Sequence, residues 1–144
     1  MAPSSVPAPA ERPTEEAEPT ASDGERLAPA MAVGLVAIGI VHFVAPTGFE
    51  RIVPRALGHA RLLVYLSGVA EIVSGLMIAV PRTRRTGALF AAATIVAVYP
   101  GNWQMALDAG FPPRDAFSWG AWLRLPLQVP MVWIALRVAR RAQG

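Results

Sequence analysis

The chain of 144 residues contains no cysteine, which excludes disulfides, thiolate metal sites, iron–sulfur clusters and thiol catalysis. Lysine is also missing, so every basic residue is Arg. Charge is scarce: 16% of residues are charged, where a soluble domain carries about a quarter. The shortfall is deeper in the body of the chain, because Glu11, Glu15, Glu16, Glu18, Asp23 and Glu25 are crowded into its start. There is no Gly-rich phosphate loop, no nucleophile elbow and no Ser/His/Asp arrangement. With two histidines and no ligand spacing, haem and metal sites have no support, and no metal is expected.

What is abundant is apolar: 53% of residues are hydrophobic. A basic and apolar body belongs either to a nucleic-acid binder or to a membrane protein. The Arg residues fall between apolar runs and not along one face, which argues against nucleic acid and for the lipid bilayer as partner. The all-Arg usage and plentiful Ala suit a high-GC bacterial genome, and hence the inner (cytoplasmic) membrane.

Residues 1–26 hold five prolines and nothing to bury, which predicts a disordered acidic, Pro-rich tail. Its start is not positive, unlike a secretory signal. Residues 27–139 then read as one all-α domain, a four-transmembrane-helix bundle, with a basic end at 140–144. The first span, 27–45, has no charge and is long enough to cross a ~30 Å hydrocarbon core. The second, 62–80, stops at Pro81 and contains Glu71. The third, 86–105, continues past a kink at Pro100. The fourth, 121–139, contains Arg124, Pro126 and Pro130 and is expected to bend. A soluble helical bundle would need polar faces at 3.6 spacing, which the first and third segments lack. Arg counts in the short loops favour both termini in the cytoplasm, and the RTRR turn and RVARR end suit anionic headgroups. Trp103, Trp119 and Trp122 with Tyr99 then form an outer interfacial belt.

Polar groups inside a membrane need a partner or a purpose. Glu71 lies near the middle of its span, and Ser67, Gly68, Ser74, Gly75 and Ile78 share its face. Small residues at that spacing allow close helix approach, so Glu71 faces the interior. His42, Asn102, Arg124 and Gln128 fall in the outer halves of the other spans, Arg124 and Gln128 on one face as an i, i+4 pair. These five residues form the expected polar pocket. The plain alternatives are a Glu71–Arg124 staple and an interfacial His42 that ligates nothing. His59, in a Gly-containing loop, is expected to be solvated.

The order of landmarks, HFVAP, IVP, SGVAEI, PRTRR, YPGNWQMAL and RLPLQ, resembles the DoxX family of small four-helix membrane proteins over residues 31–138. The resemblance implies that His42, Pro54, Glu71, Arg84, Asn102, Arg124 and Gln128 are the positions that matter. It also implies a membrane subunit of a redox or quinone-linked complex, with protein partners and a quinone as possible cofactor. The competing readings are a non-catalytic scaffold or chaperone and a proton-coupled carrier of small solutes. No catalytic motif decides among them, and the lack of cysteine weighs against thiol chemistry by this chain.

Overall fold

The computed structural model describes residues 23–142, and among them every regular element is helical. The long helices are α1 (Asp23–Val44), α3 (Ala60–Ala79), α4 (Arg84–Ala97), α5 (Tyr99–Ala109) and α6 (Ala116–Arg141). A short helix, α2 (Pro46–Glu50), and a 3-10 turn at Arg55–Leu57 fill the connection between α1 and α3. The expected tail 1–26 is therefore too long at its inner edge: Asp23–Arg26 already belong to α1. Residues 1–22 lie outside the described residues, as do 143–144 of the basic end.

α1 packs along α3, α3 along α4, and α4 and α5 along α6. The α1–α3 contact is set by small residues. A Cβ on Gly39 would lie 2.7 Å from the Gly68 carbonyl oxygen, and one on Gly75 would lie 2.7 Å from the Ala32 carbonyl oxygen. The backbones meet where the sequence places glycine, the close approach that small residues permit between apolar helices. Gly68, Ser74, Gly75 and Ile78 are buried on this face of α3.

The third expected span is not one helix. Pro100 has no N–H for the Val96 carbonyl, and the amides of Gly101 and Asn102 turn instead to the Val98 carbonyl at 3.0 and 3.3 Å. The chain restarts there as α5. The fourth begins earlier than 121 because Asp115 caps it: its carboxylate accepts from the Ser118 amide at 2.7 Å, and the Ser118 hydroxyl faces the Asp115 amide at 3.1 Å. These bonds hold the Asp115 carboxyl below its ordinary pKa. α6 then continues without a break through Pro126 and Pro130 to Arg141.

Two helical segments, Arg26–Val44 and Ala60–Ala79, are long and apolar enough to cross a membrane. Only 28% of each window is buried, whereas the core helix of a soluble protein is mostly enclosed. α4 and α5 are each too short to do so alone, with 14 and 11 residues.

Candidate functional site

Between α1 and α3 on one side and α4, α5 and α6 on the other lies a cavity of about 470 Å³. That is within the ~300–1,000 Å³ typical of small-molecule sites. All five sequence-selected residues, His42, Glu71, Asn102, Arg124 and Gln128, line it. The structure brings them together but gives them different work.

Gln128 is buried, and both ends of its amide are engaged. Its Nε2 donates to the Ile95 carbonyl, and its Oε1 accepts from Asn102 Nδ2 at 2.8 Å. Ile95 lies in the last turn of α4, where carbonyls lack intrahelical partners. Gln128 therefore closes the wound left by the helix break at Pro100, and Asn102, on the far side of the break, braces it.

His42 is placed by packing. Phe49 of α2 stacks on its ring with centroids 3.9 Å apart. A Cβ on Gly68 would come 2.8 Å from His42 Cβ, so the histidine reaches its position only because α3 has glycine there. Its Nδ1 lies 2.8 Å from the Ile38 carbonyl oxygen and 3.2 Å from Glu71 Oε2. A carbonyl only accepts, so the Nδ1 hydrogen goes to Ile38. That commitment explains why Glu71 Oε2, though close to a nitrogen, is buried without a hydrogen-bond partner.

The expected Glu71–Arg124 staple does not form. Among the described residues Glu71 lies nearest His42, an ion pair only when the imidazole is protonated, and the loop pair Arg61–Glu50 closes at 2.6 Å. Arg124 is exposed on the cavity side of α6 and forms no hydrogen bond or ion pair, although its charge acts on Glu71. It is too far from the carboxylate to neutralise it directly.

The cavity's cover carries no local sequence signal. Phe49, Ile52, Val53, Pro54 and Leu57, from α2 and the turn that follows, form its apolar roof. Glu50 ties that roof to the start of α3 through Arg61. Only Pro54 was among the expected positions. Arg84 is far from the cavity: its Nε donates to the Ile78 carbonyl at 3.0 Å and caps α3. His59 is exposed, as expected, at the start of α3. Trp122 departs from the expected belt, since its indole donates to the Gly110 carbonyl at 2.9 Å and packs edge-on to Trp103 and Phe111. Among the described residues, no three His, Asp or Glu side chains come together as metal ligands.

A family model described as a domain of unknown function (DUF8561) matches residues 31–139. The chain belongs to that family, and the expected DoxX membership is thereby corrected. The landmarks behind that expectation were mostly punctuation: prolines after apolar runs and arginines in a turn. Membrane-type helices impose such punctuation irrespective of ancestry. No curated protein and no solved structure matches the chain.

Proposed function

We propose that this DUF8561 protein is a four-span bundle of the cytoplasmic membrane whose outer half binds a small amphiphile with a carbonyl or hydroxyl head, of the quinone–quinol class. The membrane part of this reading is supported by which residues face outward. Val33, Leu66, Leu76, Leu127 and Val129 are exposed, each by more than half, while many buried positions are small, among them Ala28, Ala32, Ser74, Gly75, Ala88 and Ala91. In water that arrangement would leave a very large apolar surface wet. In lipid it is the ordinary one, since large residues face the acyl chains and small ones let helices approach. The kinked α4–α5 pair and α6 supply the third and fourth crossings, with both termini on the cytoplasmic side, where Arg is richer.

The observation that carries the ligand is unspent bonding capacity. Glu71 Oε2 has no hydrogen-bond partner, and Arg124, which forms no hydrogen bond or ion pair among the described residues, lines the same cavity. A buried polar atom left unpaired costs about 1–3 kcal/mol, so a guest that pairs it is favoured. A quinone carbonyl accepts from Arg124, and the hydroxyl of the reduced form donates to Glu71. The apolar roof and the aliphatic wall of α1 and α3 suit the rest of such a molecule. Gln128 and Asn102 hold the frame through the bond from Asn102 Nδ2 to Gln128 Oε1.

Thermal unfolding of the purified chain in detergent tests this. A saturating short-chain quinone, at about 100 times its dissociation constant, adds roughly 2.7 kcal/mol, a rise of several degrees in Tm. Glu71→Gln and Arg124→Ala each abolish most of that rise. If no quinone or quinol shifts the unfolding of the intact chain, the ligand class is wrong.

A further inference from the structure

The cavity lies between the outer halves of the helices, and the opposite end of the bundle has a different character. Ala28, Ile78, Ala88, Val138 and Ala139 belong to one buried cluster. The start of α1, the end of α3, the start of α4 and the end of α6 therefore meet at that end. Arg26, Arg82, Arg84, Arg137, Arg140 and Arg141 all stand on these four termini. The acids between Arg26 and Ala142 are Glu50, Glu71, Asp108 and Asp115, and each is in α2, in mid-α3 or near the α5–α6 connection. None of these four sits among the arginines, although Asp23 and Glu25 precede Arg26 in the first turn of α1.

The end is also built and not merely charged. Arg84 donates to the Ile78 carbonyl at 3.0 Å, and the Thr83 hydroxyl donates to the Met77 carbonyl at 2.8 Å, so the turn is fixed onto the end of α3. The N-terminus of α4, with its positive dipole end, opens there beside Arg82. Arg137 lies over the Trp133 ring, 5.0 Å from its centroid, which aligns that side chain along α6. Arg26, Arg82, Arg140 and Arg141 are exposed and form no hydrogen bond or ion pair among the described residues. Exposed guanidinium forks without partners, on a rigid frame and beside a helix N-terminus, suit phosphate oxygens.

We infer that this end of the bundle binds anionic phospholipid headgroups, of the phosphatidylglycerol type, at a site separate from the cavity. The inference rests on the membrane reading above but not on the quinone. Long Arg side chains reach outward to headgroups while their stems stay in the apolar zone. The preferred lipid is the one whose phosphate is not neutralised by a choline or ethanolamine of its own.

Trp133 reports on this end, because Trp103, Trp119 and Trp122 lie in α5 and the first turns of α6. The full chain is reconstituted in phosphatidylcholine vesicles doped with either brominated phosphatidylglycerol or brominated phosphatidylcholine. The fluorescence quenched is compared between the intact chain and Trp133→Phe. The Trp133 signal is quenched at lower mole fraction by the anionic lipid, and the preference weakens with salt. It falls roughly five-fold for each arginine removed in Arg82→Gln, Arg140→Gln and Arg141→Gln, while Arg51→Gln and Arg55→Gln leave it unchanged. Quenching of each variant by brominated phosphatidylcholine checks that it still inserts and folds. Equal quenching of Trp133 by the two lipids overturns the headgroup site alone. Absence of quenching by either lipid overturns the membrane reading and the site with it.

Discussion

A helix that stops at a proline leaves carbonyls behind, and Gln128 shows how one chain deals with them. The Ile95 carbonyl would be an orphan acceptor in the middle of the bundle were the Gln128 amide not aimed at it. Gln128→Leu keeps the bulk but strips the partner from both Ile95 and Asn102. The expected loss of stability is about 2–6 kcal/mol, two unsatisfied polar groups at the usual cost of each. Asn102→Ala loses only the brace and costs less, and the double variant costs less than the sum because the two residues share one network. Thermal unfolding of the four proteins in one detergent measures this, and a Gln128→Leu chain as stable as the parent refutes it. The sequence marks Arg124 and Gln128 as one face, four residues apart, yet one is exposed and the other buried. A step of four residues turns a helix some 40° past a full circle. At the edge of an interface that angle separates an inward residue from one that looks into a cavity. Which pair of polar groups meets across two helices depends on rotation and crossing angle, and local spacing carries neither. That is why Glu71 is legible as an inward residue while its neighbour, His42 and not Arg124, is not.

Elements bounded by strong local signals are the legible ones. α1 and α3 follow long apolar runs that end before Pro46 and Pro81, and they deviate from the expected 27–45 and 62–80 by only a few residues. α2 is a five-residue helix, PTGFE, too short for any period to show, so the roof of the cavity could not be anticipated. The start of α6 is set by the Asp115–Ser118 cap, which sits just behind Pro112 and Pro113 and outside the apolar run. The α1–α3 contact offers a contrast between two glycines. Gly75→Ala drives a methyl into the Ala32 carbonyl, with 2.7 Å available, and into Val36. Overpacking of this kind costs about 1–3 kcal/mol. Gly34 has open space around it in α1, so Gly34→Ala gains up to about 1 kcal/mol from helix propensity and a less flexible unfolded chain. Unfolding midpoints of opposite sign at these two positions would support the backbone contact. A Gly75→Ala chain that is no less stable than Gly34→Ala would contradict it.

At the scale of the whole molecule, the absence of cysteine becomes a tool, since any introduced thiol is the sole one in the chain. The proposed four crossings, with both termini inside, would place the α3–α4 turn and the end of α6 on the cytoplasmic face. They place the roof segment and the α5–α6 connection on the other. Arg55→Cys and Arg114→Cys, both at exposed positions, should therefore react with a membrane-impermeant maleimide added to intact spheroplasts. Arg82→Cys and Ala142→Cys should react only after lysis. The informative pair is Arg82 and Arg114, because α4 and α5 lie between them and neither helix is long enough to cross alone. If the kinked pair crosses as a unit, the two positions label from opposite sides. If α4 and α5 enter and return by the same face, both label together, leaving α1 and α3 as the spans that length and hydropathy already permit. The Gln128 bridge favours the first outcome. It joins the end of α4 to the start of α5 through one side chain of α6, and α6 follows α4 from Ala88 and Ala91 at one end of the bundle and α5 to Met105 and Ala106 toward the other.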